Sequence, residues 1–200
     1  MLTKLEGLKQ YFQSGATQSY AFRILQLKRL KQIVLEHEKE LYQALHTDLK
    51  KSEEEAWATE IGFFLNELNY TIDHLKEWMQ PTSVPTNLLN QPSTCYTIAE
   101  PLGVVCIIAP WNYPFQLLFT PLIGAIAGGN CAVLKPSEFA PATAKVMEKI
   151  IDALFSTNYI VYLEGEGATV LPPLLTENRF DHIFYTGSTA VGKIIYKYAA

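Results

Sequence analysis

The chain is poor in the residues that mark export, metal binding or redox work. Its 200 residues hold three cysteines, Cys95, Cys106 and Cys131. An odd number without C-x-x-C spacing argues against a disulfide framework and fits reduced thiols in an intracellular setting. The four histidines, His37, His46, His74 and His182, are scattered with no ligand spacing, so no metal site is expected. His182, beside Asp181, reads as a residue at the start of a strand rather than as a base. Blocks of Lys or Arg are missing, and 16 basic against 20 acidic side chains give a net charge of −4; a nucleic-acid partner is therefore not expected. Long hydrophobic runs are missing too. The most apolar stretch, Leu117 to Gly129, is bounded by Pro and Gly and falls short of the ~20 residues that span a bilayer. The opening MLTKLEGLKQYF mixes charge with leucine and does not read as a signal peptide, so a cytoplasmic location and no membrane segment are expected.

What is present divides the chain into parts with different patterns. Hydrophobic residues make up 48% and aromatics 12%, enough for a sizeable core. Over residues 1–80 apolar positions recur at helical spacing: Leu2, Leu5, Leu8, Tyr11 and Phe12; then Ile24, Leu27, Leu30, Ile33 and Val34; then Ile61, Phe64, Leu65, Leu68 and Ile72. These predict amphipathic helices, and Lys28, Arg29, Lys31, Glu36, Glu38 and Glu40 read as their solvated faces. Residues 81–100 break the pattern with PTSVPTNLLNQPST and an alternating run, TCYTIAE, that predicts a strand. Over residues 101–200, the apolar runs Gly103 to Pro110, Cys131 to Pro136, Tyr159 to Glu164 and Asp181 to Gly187 alternate with helical stretches beginning near Pro114, Pro141 and Ser188. Between 166 and 179, Pro172-Pro173 allows only a short helix. Strands apolar on both faces and separated by helices predict an α/β fold with a doubly wound parallel sheet, preceded by the helical segment and a short β excursion.

In an open parallel sheet, ligands bind outside the carboxyl ends of the strands. Polar residues gather at those points: Trp111-Asn112 after the first run, Lys135-Pro136-Ser137-Glu138 after the second, Glu164-Gly165 after the third, Thr186-Gly187-Ser188 after the fourth. A cation, several hydroxyls and a glycine turn opening a helix suit a diphosphate-bearing cofactor, because free backbone N–H groups and the helix dipole attract its charge. The turn running from Gly187 to Lys193 fits G-x-x-x-x-G-K, but Ile194 stands where a nucleotide-hydrolysing loop needs a hydroxyl for Mg²⁺. It also departs from G-x-G-x-x-G, since Thr189 replaces the second glycine. A purely structural glycine turn that packs a helix onto the sheet remains the alternative. Cys106, inside VVCIIA, and Cys131, heading CAVL, read as small buried hydrophobes with thiols less acidic than usual, and Cys95 falls outside the parallel sheet. None is expected to act as a nucleophile.

Three motifs, PWNYPF (Pro110 to Phe115), AGGNCAVLKPSE (Ala127 to Glu138) and FYTGSTAVGK (Phe184 to Lys193), closely resemble the aldehyde dehydrogenase superfamily, and the short N-terminus without an extra leading segment looks most like its class 3 branch; the resemblance covers essentially the whole chain. The resemblance implies NAD(P)⁺-dependent oxidation of an aldehyde substrate to a carboxylic acid. In that chemistry a cysteine thiolate attacks the aldehyde, hydride passes to the nicotinamide, and a glutamate activates the water that hydrolyses the thioester. It further implies that 101–200 is a Rossmann-like NAD(P)-binding domain, incomplete here, with 1–80 its helical segment and 81–100 an oligomerisation element of a homodimer.

Carried over by position, Asn112 matches the side-chain amide that stabilises the oxyanion, where a fixed donor is worth most. Trp111 matches a cofactor-site position, with an aromatic filling the core at a strand end as the alternative. Lys135 and Glu138, with Ser137 beside them, match the pair that holds the adenosine ribose; Glu138 favours NAD over NADP, and use of both stays open. Gly187, Ser188, Thr189, Val191 and Gly192 match the nucleotide-binding turn, Ser188 towards the pyrophosphate and Val191 towards the adenine. Phe63, Phe64 and Tyr113 are candidates for the mouth of a substrate tunnel, with core packing the alternative for the two phenylalanines. The family's nucleophilic cysteine and general-base glutamate come later than Ala200, so these 200 residues are expected to be inactive alone. A non-catalytic nucleotide-binding or interaction module is the alternative, and an NTPase fragment a third.

Overall fold

A computed structural model describes residues 2–200, with side chains from Leu5 onward, so the predicted role of the Leu2 side chain lies outside the described residues. The chain up to Trp78 is helical: α1 (Leu2–Gln13), α2 (Tyr20–Glu36), α3 (Glu38–Leu49), α4 (Glu53–Ala56), a π-helical turn (Trp57–Ile61) and α5 (Gly62–Trp78). Side-chain caps set several boundaries. Ser19 opens α2 and Ser52 opens α4, their hydroxyls accepting the N–H of Phe22 at 3.1 Å and of Glu55 at 3.2 Å, as serine does at an N-cap. α3 ends where Lys50 turns left-handed, at φ 59°. Leu5 and Leu8, Leu27, Leu30 and Val34, and Ile61, Phe64 and Leu68 are all buried, so each apolar stripe faces the core. Lys28, Arg29 and Glu36 face solvent as read, while Glu40 reaches Lys149 of a later helix at 2.9 Å. Phe64 packs inside, but its neighbour Phe63 is exposed, because consecutive helical residues point in different directions.

The β excursion consists of β1 (Thr82–Val84) and β2 (Cys95–Thr97), paired antiparallel through a connection that contains the 3-10 turn Leu88–Asn90. Strand and helix then alternate: β3 (Val104–Ile108), α6 (Pro114–Ala127), β4 (Cys131–Lys135), α7 (Pro141–Leu154), β5 (Ile160–Tyr162), α8 (Gly167–Thr176), β6 (His182–Tyr185) and α9 (Thr189–Ala199). Pro114 and Pro141 sit in the first turn of their helices, where a missing N–H costs nothing. Every residue of β3 and β4 is buried, which accounts for their unbroken apolar runs. The four strands β3 to β6 are parallel, in the spatial order β5-β4-β3-β6. The chain steps outward from β3 to β5 and then crosses to the other side of β3, and that reversal opens a crevice at the carboxyl ends of β3 and β6.

Two elements depart from the sequence expectation. α8 runs for 10 residues straight through Pro172 and Pro173, although each proline removes a donor and crowds the preceding turn. Its buried Leu171, Leu174 and Leu175 pin the helix to the core, and that burial offsets the lost backbone bonds. β6 is covered on one face only: His182 and Phe184 are exposed while Ile183 and Tyr185 are half-buried, the alternation of a strand at the margin of a sheet. Among the described residues no helix is long and apolar enough to cross a membrane.

Candidate functional site

Register brings the polar residues together. Ile108 at the end of β3 lies opposite Lys135 on one side and Tyr185 on the other, so the segments that follow these strands emerge along one edge. The hydrogen bonds continue past the strand ends, from Ala109 N–H to the Lys135 carbonyl at 3.1 Å and from Thr186 N–H to the Ile108 carbonyl at 3.0 Å. Between these segments, α8 and α9 lies a cleft of about 520 Å³. Of the residues singled out in the sequence, Trp111, Lys135, Ser137, Glu138, Gly187, Ser188 and Val191 line it. Asn112, Thr189 and Gly192 lie beside it rather than in its wall. Trp111 is half-exposed, which sets aside the core-filling alternative.

The ribose-side pair is already engaged within the protein. Lys135, almost wholly buried, donates to the Pro136 carbonyl at 2.6 Å and reaches Glu138 Oε2 at 3.5 Å. Burial pushes this ammonium below the ordinary lysine pKa, partly offset by the Glu138 charge. Glu138 Oε1 accepts the N–H of Gly167 at 2.9 Å, so its carboxylate supplies the cap that α8 lacks from its own N-cap residue, Glu166. Burial alone would raise the Glu138 pKa, but the N–H groups of Glu138 and Gly167 together with Lys135 outweigh it and hold the carboxyl below the usual range. Ser137 Oγ accepts the N–H of Phe139 at 3.3 Å. A smaller cavity of about 410 Å³ adjoins, sharing Pro136, Ser137 and Glu138 and adding Lys145 and Glu164.

On the β6 side, Ser188 is the N-cap of α9, its hydroxyl accepting the Val191 N–H at 3.4 Å while its own proton stays available to a ligand. The first-turn N–H groups of α9 therefore face the cleft end of the helix with the positive end of its dipole. The glycines answer to Tyr185, which the sequence reading did not single out. A Cβ on Gly187 would sit 2.2 Å from the Tyr185 hydroxyl, and one on Gly192 would sit 3.3 Å from the ring. The ring thus folds beneath the turn, its hydroxyl donating to the Ser188 carbonyl at 3.3 Å, and it lines the cleft. The donor set of one buried cation, two hydroxyls and a helix N-terminus fits a ligand with ribose hydroxyls and phosphates.

Among the described residues no cysteine lies on this rim. Burial pushes Cys106 and Cys131 each up to about 12, and Cys95 sits on β2; none of the three lines the cleft. Among the described residues no group of three or more His, Cys, Asp or Glu side chains is placed to hold a metal ion. The sequence reading also missed a buried pair beneath the rim, Lys51 and Glu60, whose Nζ and Oε1 are 2.6 Å apart. Nothing in a separation of nine residues signals it, and charge patterning hides such pairs among solvated ones.

The family model described as "Aldehyde dehydrogenase family" matches residues 7–200. Aldehyde dehydrogenase family 3 member A2 of Macaca fascicularis is 42% identical over 200 residues, 100% of this chain and 41% of that protein. "Aldehyde dehydrogenase, dimeric NADP-preferring" of Canis lupus familiaris is 44% identical over 189 residues, 94% of this chain and 41% of that protein. The substrate-bound structure of AldH from Staphylococcus aureus superposes with a TM-score of 0.95 at 44% identity, covering 98% of this chain and 43% of that one. The chain thus spans about two fifths of the length of the relatives it matches.

Proposed function

Because the chain belongs to the aldehyde dehydrogenase family and is class 3-like within it, we propose that it forms the cofactor-holding part of an enzyme that oxidises aldehydes to carboxylic acids with NAD or NADP. The observation that carries this reading is the cleft at the β3/β6 reversal, where Trp111, Lys135, Glu138 and Ser188 converge from three separate strand ends. Bound NAD or NADP supplies the hydride acceptor. Lys135 and Glu138 hold the ribose hydroxyls, one as donor and one as acceptor. Ser188 and the α9 N-terminus hold the diphosphate, and Val191 packs against the base. Trp111 adds an aromatic wall to the cofactor cleft, and Thr189 and Gly192 belong to the turn that opens α9. Asn112, exposed at the rim, donates its amide to the oxygen on which charge develops when a thiolate attacks the aldehyde.

The thiolate and the base are not among these residues, on the same reading. No cysteine reaches the cleft, and the two in the sheet are too weakly acidic to serve. What these 200 residues supply to the reaction is the cofactor site, and a non-catalytic nucleotide-binding module is the second reading. Residues 1–80 and 101–200 serve as one cofactor domain. The excursion at 81–100, with Leu88 and Leu89 almost fully exposed, serves as the oligomerisation element of a homodimer. Calorimetric titration with NAD⁺ and NADP⁺ tests the site: Lys135→Met is expected to weaken binding by about tenfold or more, the scale of a lost charge-assisted hydrogen bond. Binding that is absent from the unsubstituted protein, or unchanged by the substitution, contradicts the assignment.

A further inference from the structure

The turn that presents Trp111 and Asn112 is gripped from below by two opposite charges that do not touch the cleft. Glu60 lies in the π-helical turn and is 0% exposed. Its Oε2 accepts the N–H groups of Phe115 at 2.9 Å and Gln116 at 3.2 Å, in the first turn of α6. Its Oε1 meets Lys51 Nζ at 2.6 Å. Lys51 donates again to the backbone carbonyl of Asn112 at 3.1 Å and places its ammonium 4.1 Å from the centre of the Tyr113 ring, within cation–π range. One ion pair therefore binds residues 112, 113, 115 and 116, which include both sides of the bend between β3 and α6.

A buried ion pair is a poor way to gain stability, since desolvating both charges offsets most of their attraction and an apolar pair of equal volume often does as well. What directed hydrogen bonds add over apolar packing is a fixed orientation. The exposed Asn112 side chain is mounted on the backbone that Lys51 and Glu60 hold. The intervening π-helical turn, a feature frequent at functional sites, is the element that carries Glu60.

We propose that Lys51 and Glu60 are positioning residues for Asn112, holding the turn so that its amide meets the developing oxyanion. The proposal rests on the aldehyde-oxidation reading above. Neither residue contacts the reacting atoms, so both act only through the turn.

The test is a double-mutant cycle in the full-length protein, read as kcat/KM for an aldehyde at saturating cofactor. Lys51→Met combined with Glu60→Gln removes both charges and keeps the side-chain volume, leaving no unpaired charge buried. Asn112→Ala alone is expected to cost about 10²–10³-fold, the loss of one oxyanion donor. The charge-pair variant is expected to cost about 10–100-fold, the scale of a misplacement of roughly 1 Å. In the Asn112→Ala background it is expected to cost less than about twofold, because no amide remains to be positioned. An equal cost in both backgrounds, or none in the first, overturns the proposal. A full-rate Asn112→Ala enzyme overturns instead the assignment of aldehyde oxidation to this rim, which separates the two failures. Should the paired variant not fold, Glu60→Asp, which keeps both charges buried together but shortens the carboxylate's reach to the α6 N–H groups, goes through the same cycle under the same criteria.

Discussion

Asp48, near the end of α3, caps a helix that begins more than ninety residues later, and removing it is the sharpest test of how the two halves are joined. Its Oδ1 accepts the Ala142 N–H at 3.1 Å, across 94 positions of sequence, and its Oδ2 accepts both the Thr143 N–H at 2.7 Å and the Thr143 hydroxyl at 2.8 Å. The residue at the N-cap of α7 is Ala140, which has no side-chain acceptor, so the cap comes from α3. Asp48→Ala forfeits the cap, about 0.5–2 kcal/mol, and the favourable charge at the positive end of the helix, about 0.3–1 kcal/mol. It also leaves the hydroxyl of Thr143, which is 0% exposed, without an acceptor, at about 1–3 kcal/mol. These contributions overlap, so the expected loss is about 2–4 kcal/mol, a fall of about 5–15 °C in melting temperature for a chain of this size. Urea and thermal unfolding followed by circular dichroism measure it, with Asp48→Asn, which keeps one acceptor and loses the charge, expected between the two. A loss below about 1 kcal/mol for Asp48→Ala, the ordinary range for surface changes, refutes the reasoning.

Two further outcomes follow from perturbed groups. Lys135 holds its proton less tightly when folded than when unfolded, because burial lowers its pKa. Between its folded value and the ordinary lysine value the unfolded chain therefore binds more protons, and this lysine makes stability rise with pH in that window. Lys135→Met is expected to remove that rise in denaturation series run from about pH 8 to 11; an unaltered slope contradicts the burial argument. Cys106 and Cys131, pushed up to about 12, keep only about one thiolate in 10⁴ at pH 8. Iodoacetamide followed by peptide mass spectrometry is expected to label the half-exposed Cys95 well before either, and equal labelling of the folded protein contradicts their placement in the sheet.

Periodicity and punctuation were enough to read most of the scaffold. Leu27, Leu30 and Val34 declare a buried helix face by spacing alone, and Pro114 and Pro141 mark first turns because the N–H that proline lacks would have no partner there in any case. The limits of α8 were not legible, since Pro172 and Pro173 argue against a helix locally and only the burial of Leu171, Leu174 and Leu175 reverses that. Long-range polar contacts were invisible for a different reason. Asp48 and Glu60 stand among many helical carboxylates, and nothing in their spacing says that one caps α7 and the other α6. Lys135 and Glu138 could be found because their position after an apolar strand is itself informative, whereas the role of Tyr185 depends on where its ring lands.

The two readings of the glycine turn turn out to be compatible, and their compatibility has a chemical consequence. A side chain at Gly187 would force the Tyr185 hydroxyl to move and one at Gly192 would crowd its ring, which is a packing cause independent of any ligand. The backbone so displaced still opens α9 towards the cleft, with Ser188 as its cap. In a turn whose second glycine is present, the backbone itself closes on a pyrophosphate. Here Thr189 holds that place, so on the proposed reading side chains share recognition with the α9 N-terminus: the Lys135 ammonium, the Glu138 carboxylate and the Ser188 proton. Gly187→Ala would then act by displacing Tyr185 and loosening β6 from α9, whereas a loss at Lys135 would be felt by the ligand directly. Mutations in one short stretch of rim thus divide into those that move the wall and those that remove a contact, and the division follows from which atoms meet which, not from how near they lie to the cleft.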